Sequence, residues 1–221
     1  MSSTLAARLR LMVITPDDDA THDQHEATLR AIAPSITALQ YRDKGPLEPR
    51  ARRARAARWR SLSTELGLLF IVNDDPSLAA LVDADGVHLG PDDMSPTHAR
   101  RIVGPDRVIG ASAGTPEAAL AAIRGGANYL GVGAIFDARA SKPNASNARG
   151  LDTLRQLRTV LDDNAARNTP IIAIGGIGVG SAVACITHGA DGVAVIRAIW
   201  NAPRPDEAGR LLRAEVDGNV G

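Results

Sequence analysis

Short apolar runs recur along the chain, and each is separated from the next by a longer stretch with helical periodicity. The runs at 11–15, 36–41, 68–72, 86–88, 107–111, 129–133, 170–174 and 192–195 are each too short for a helix and end in polar or glycine residues, as buried parallel strands do. Between them, segments 22–33, 49–66, 76–83, one opened by Ser95-Pro96, one opened by Thr115-Pro116-Glu117, 151–166 and 181–188 read as helices, with a closing helix near 206–214. Proline at the first helical position and Gly67 or Gly125-Gly126 after the last supply the punctuation. In the segment 49–66, Ala51, Trp59, Leu62 and Leu66 form the predicted buried stripe.

Eight strand–helix alternations with mostly short loops predict an α/β protein of the (β/α)8 TIM-barrel class, with residues 1–221 as one domain and 1–10 as a short N-terminal extension. A doubly wound open sheet is the rival, but no switch point in the strand order can be located for it.

Composition narrows the classes. A formal net charge of zero gives no overall electrostatic pull towards nucleic acid or membrane. The single Cys185 excludes an internal disulfide framework and fits a reducing compartment. Residues 1–10 contain no apolar run of signal or spanning length, so a cytoplasmic protein is expected. Six arginines between Arg50 and Arg60 have Trp59 as their only interleaved aromatic, which favours a solvated helix face over a nucleic-acid patch. Of the 25 basic residues only Lys44 and Lys142 are lysines. Against so strong an arginine bias, a retained lysine marks a place where a compact charge suits and a planar fork does not, unless its survival is chance.

Candidate chemistry collects after the strands. Arg42 and Lys44 follow the second, Asn73 and Asp74 the third, and Asp93 lies beyond the fourth. Ser112 follows the fifth, Lys142 lies in the loop after the sixth, and Gly175-Gly176 follow the seventh. In a barrel these strand ends share one face, where ligands bind. Separated cations with two carboxylates and a glycine turn suit a diphosphate bridged to the protein by Mg²⁺. Each piece has a plainer reading. Asp74 could cap the helix opened by Pro76, Asp93 could be a turn residue, His88 a core histidine, and Gly175-Gly176 a tight turn.

The segments Gln40-Tyr41-Arg42-Asp43-Lys44, Asn73-Asp74, Ala84-Asp85-Gly86-Val87-His88-Leu89-Gly90 with Asp93, and Ala173-Ile174-Gly175-Gly176-Ile177 resemble the thiamine phosphate synthase and TenI family, over about 11–200. The resemblance implies a Mg²⁺-dependent transferase that condenses a hydroxymethylpyrimidine diphosphate with a thiazole phosphate by a dissociative route. It implies Asp74 and Asp93 as metal ligands, and Arg42, Lys44, Asn73 and Lys142 as diphosphate contacts, with Arg42, Lys44 and Lys142 catalytic. Gln40, His88 and Ser112 would line the pyrimidine side, and Gly175, Gly176 and Ile196 the thiazole phosphate. Two departures stand out. The family's Pro-Thr-x-Thr-Lys loop is here the longer Asp137-Ala138-Arg139-Ala140-Ser141-Lys142, and Arg197 stands where a serine is usual. Arg139 or Arg197 is therefore expected to replace the lost hydroxyls by charge. A TenI-like tautomerase is a weaker alternative, since Ser112-Ala113-Gly114 lacks the histidine it would need; a non-catalytic phosphate-ligand barrel is the other. Family members are often homo-oligomers, so self-association is a further expectation.

Overall fold

Eight parallel strands close into a barrel in sequence order, β8 pairing back onto β1. They are β1 (Leu11–Ile14), β2 (Ala38–Tyr41), β3 (Leu69–Asn73), β4 (Gly86–Leu89), β5 (Val108–Ser112), β6 (Tyr129–Gly133), β7 (Ile171–Ile174) and β8 (Gly192–Val195). Around them lie α1 (Leu5–Arg8), α2 (His22–Ile32), α3 (Pro49–Glu65), α4 (Pro76–Leu81), α5 (Pro96–Val103), α6 (Pro116–Arg124), α7 (Leu151–Asp163), α8 (Ala182–Thr187), α9 (Arg197–Trp200) and α10 (Pro205–Asp217). This computed structural model describes residues 4–16, 22–136 and 150–218.

Strand alternation sorts the apolar residues into two cores. Leu11, Val13, Phe70 and Val72 point outward and pack beneath the helices, whereas Met12, Ile14, Leu69, Ile71, Ile172 and Ala194 fill the barrel interior. The eight predicted strands are all present, with ends moved by a residue or two. The Pro-N1 signals are also realised: Asp75, Ser95 and Thr115 accept N–H bonds from Leu78, His98 and Ala118 at the starts of α4, α5 and α6.

Three differences from the sequence reading have simple causes. Within the expected extension, residues 4–10 carry α1, which leads into Leu9, fully buried in the interior cluster with Leu5 packed against it. On α3 the buried face runs through Ala56, Trp59, Leu62 and Ser63, and Ala51 is exposed. Ala51 is five residues before Ala56, roughly 140° around the helix from it. The turn α9, between β8 and α10, is not signalled by the sequence pattern; its Trp200 donates an indole N–H to the Ile14 carbonyl at 2.7 Å, which ties the end of β8 to the end of β1.

Candidate active site at the C-terminal strand ends

Strand register alone lays out the site. Asn73 pairs with His88, His88 with Gly110, and Gly110 with Tyr129, so these four positions form one row across β3 to β6. Ser112 pairs with Gly131 one step nearer the mouth. Gln40 lies between Ile14 and Ile71 in the same layered interior and is 5% exposed.

Beyond β2 the alternation continues into the loop. Tyr41 and Asp43 turn towards α3. The Tyr41 hydroxyl donates to Asp43 Oδ2 at 2.9 Å, Gly45 N–H donates to Asp43 Oδ1 at 2.9 Å, and Arg52 donates to the Asp43 carbonyl at 2.6 Å. Arg55 adds an ion pair at 3.4 Å. Arg42 is held at its backbone by a reciprocal pair of 2.8 Å bonds with Thr15, and its side chain is partly buried. Burial lowers the Arg42 pKa from its ordinary value, and the nearby Asp74 charge works against that shift. Lys44 reaches across to Asp74 Oδ2 in a direct ion pair.

Asp74 does not cap the following helix. Asp75 takes that role, accepting from Leu78 N–H at 2.9 Å, and Asp74 adopts a left-handed φ of 66° with its own N–H on the His88 carbonyl at 2.7 Å. That turn, costly for a non-glycine residue, aims the Asp74 carboxylate at Lys44 and Asp93. Asp93 is both a turn residue and part of this cluster, since its Oδ2 accepts Gly90 N–H at 2.7 Å. The two carboxyls are driven in opposite directions. Burial disfavours charge on Asp74, but its bonds to Lys44 and Asp93 outweigh that and hold its pKa below the ordinary value. Burial and then the Asp74 carboxylate push Asp93 above it, against the Gly90 N–H.

Two acidic side chains in mutual contact, one partly neutralised by a lysine, form a hard-oxygen pair of the kind that holds Mg²⁺. Among the described residues no group of three or more His, Cys, Asp or Glu could enclose a metal. The described residues thus offer a cation two carboxylates, and Mg²⁺ is usually held by one or two carboxylates with ligand or water oxygens completing its shell.

His88 is a hydrogen-bonded histidine of the barrel, as the plainer reading has it. Its Nδ1 lies 3.0 Å from the Tyr129 hydroxyl and its Nε2 lies 3.0 Å from Ser112 Oγ, so the ring is hydrogen-bonded in the barrel and also faces the site. Across the mouth, Gly175 and Gly176 have φ of 99° and 69°, and a Cβ on Gly175 would lie 2.6 Å from Ala134 Cα. The glycines are thus required by backbone geometry, and Gly176 is left exposed. Ile196 is half-buried beside them in sequence order after β8, and Arg197 begins α9 with an exposed side chain. Arg139 and Lys142 lie outside the described residues.

Tyr129, Thr15 and Asp43 contribute without having stood out in the sequence. The signal for Tyr129 is the pair Gly110 and Gly131, but it becomes legible only once the strand register is known. Two surface depressions of about 280 and 250 Å³ lie at the opposite, N-terminal face. In the first, Arg10 is already bonded to the Asp191 carbonyl and to Asp217, and Arg213 to Asp217. No described helix is long and apolar enough to cross a membrane.

A family model described as thiamine monophosphate synthase matches residues 11–199. The chain is 39% identical over 217 residues to a thiamine-phosphate synthase of Geobacillus kaustophilus, covering 97% of this chain and 95% of that one. It is 41% identical over 208 residues to a thiamine-phosphate synthase of Chloroflexus aurantiacus, covering 94% and 92%. Among solved structures it is similar to a thiamine phosphate pyrophosphorylase from Pyrococcus furiosus, with a TM-score of 0.82, 35% identity and coverage of 99% and 100%.

Proposed function

Because this chain belongs to the thiamine monophosphate synthase family, and is an enzyme of the transferase kind, we propose that it joins a hydroxymethylpyrimidine diphosphate to a thiazole phosphate in a Mg²⁺-dependent reaction. The observation that carries the reading is the contact of Lys44 with Asp74 and of Asp74 with Asp93 at one mouth, beside Arg42. It supports a diphosphate site to which three separate strand ends contribute.

In this reading Arg42, Lys44, Asn73 and Lys142 bind the diphosphate, and Asp74 and Asp93 hold Mg²⁺. The bound cation supplies positive charge against which the leaving diphosphate is stabilised. Arg42 and Lys44 add fixed positive charge to the same oxygens. The pyrimidine's exocyclic carbon–oxygen bond breaks with its electron pair leaving on diphosphate. The thiazole nitrogen lone pair then forms the new carbon–nitrogen bond, and no proton has to be removed. Gln40, His88 and Ser112 orient the pyrimidine, and Gly175, Gly176 and Ile196 lie where the thiazole phosphate is received.

Arg197, exposed at the start of α9, is proposed to meet that phosphate by charge where a hydroxyl is usual, with Arg139 as the other candidate. Titration calorimetry with inorganic diphosphate tests the first half: binding should require Mg²⁺ and be lost in D74N. Equal affinity in the presence of a chelator would contradict it. R197A should raise KM for the thiazole phosphate about tenfold, and an unchanged KM would remove Arg197 from the site.

A further inference from the structure

The buried row across β4, β5 and β6 has a direction. Tyr129 is 1% exposed and crosses the barrel interior through space left by Gly110, where a Cβ would lie 2.1 Å from the Tyr129 Cζ. His88 occupies the space left by Gly131, where a Cβ would lie 2.7 Å from its Cε1. Two strands thus give up side chains so that a phenol and an imidazole can meet, with ring centroids 5.5 Å apart.

The hydrogen bonds can be ordered from the inner end. Burial raises the Tyr129 pKa far beyond the physiological range, so its hydroxyl keeps its hydrogen. A phenol O–H is a stronger donor than a neutral imidazole N–H, and an imidazole nitrogen is a stronger acceptor than a phenol oxygen. The phenol has one hydrogen to give, and His88 Nδ1, the better acceptor, lies 3.0 Å away. A neutral imidazole that accepts at Nδ1 carries its hydrogen on Nε2, 3.0 Å from Ser112 Oγ. Ser112 then accepts from His88 and has its own hydrogen left for a ligand.

We propose that Tyr129 is a positioning residue that fixes the His88 tautomer with hydrogen on Nε2, and so makes Ser112 a hydrogen-bond donor to an acceptor atom of the bound ligand. The tautomer follows from the two 3.0 Å contacts of His88 and the donor strength of the buried phenol, without reference to any ligand. The identity of the acceptor, a ring nitrogen of a pyrimidine, rests on the proposed function. The arrangement would discriminate against a heterocycle presenting an N–H at that point, because two donors would then face each other.

The direct test is long-range proton–nitrogen NMR of the ligand-free protein labelled with ¹⁵N-histidine, at mildly alkaline pH. The His88 signals would be assigned by their loss in H88Q among the 5 histidines of the chain. An unprotonated Nδ1 with a protonated Nε2 is expected, and Tyr129→Phe should shift the ring towards a mixed or Nδ1–H population. Hydrogen on Nδ1 in the wild type, or no change in Y129F, would overturn the proposal. Kinetics supply the second readout. Y129F and S112A should each raise KM for the pyrimidine diphosphate about tenfold, with the double variant no worse than S112A. Fully additive losses would contradict transmission through His88. The NMR result stands without any substrate, so a wrong tautomer and a wrong substrate would be told apart.

Discussion

Lys44 tests at one residue whether shape as well as charge matters at the mouth. Its ammonium sits on Asp74 Oδ2, while Asp74 is also bonded to Asp93. A guanidinium is wider and planar, and a fork laid on the Asp74 carboxylate would compete with its bond to Asp93. Lys44→Arg should therefore lower kcat/KM by about 10- to 100-fold, on the scale of a misplaced charged hydrogen bond, with the fold intact by circular dichroism. A K44R enzyme of wild-type efficiency would mean that charge alone suffices. The arginine-heavy composition is enough to single out this lysine. It does not show that Asp75, and not Asp74, caps the helix, because adjacent aspartates before Pro76 are equivalent in sequence until the backbone turn at φ 66° separates them.

Among the elements, the loop after β2 and the start of α8 carry the instructive devices. Asp43 is tied to Tyr41, Gly45, Arg52 and Arg55, so the segment presenting Arg42 and Lys44 is fastened to α3 from behind. Two arginines of the block between Arg50 and Arg60 thus have a structural task, and no nucleic acid is needed to explain them. Loosening the tie with D43N should raise KM for the pyrimidine diphosphate about tenfold while kcat stays within about twofold. An equal fall in both constants would point to damage in the chemistry itself.

At α8 the capping position Ser181 makes no side-chain bond to the helix, and the work passes to Glu215 of α10. Its buried carboxylate accepts from Gly180 N–H at 2.5 Å, Ala182 N–H at 2.9 Å and Val183 N–H at 3.3 Å. E215A leaves these donors without their acceptor and should destabilise the fold by about 2–4 kcal/mol in urea unfolding. A loss below about 0.5 kcal/mol would mean that water replaces the carboxylate. This contact spans 33 residues, and nothing local in the sequence announces it.

For the whole molecule, the barrel was legible because parallel strands buried on both faces leave continuous apolar runs, and prolines and glycines mark nearly every boundary. Closure of β8 onto β1 followed from the number of units. Much of the proposed site was also legible as residue types at strand ends. The row Asn73, His88, Gly110 and Tyr129 was not, since it depends on register between strands far apart in sequence. Likewise the role of α1 as the floor of the barrel depends on Leu9 turning inward, which a ten-residue segment does not reveal by periodicity. Fold, site and proposed chemistry meet in one assay, formation of thiamine phosphate from the pyrimidine diphosphate and the thiazole phosphate, with and without Mg²⁺, by the wild type and by Asp93→Ala. Product should form only with Mg²⁺ and fall by at least about 100-fold in D93A. Undiminished turnover in chelator, or diphosphate binding without any product, would overturn the proposed reaction.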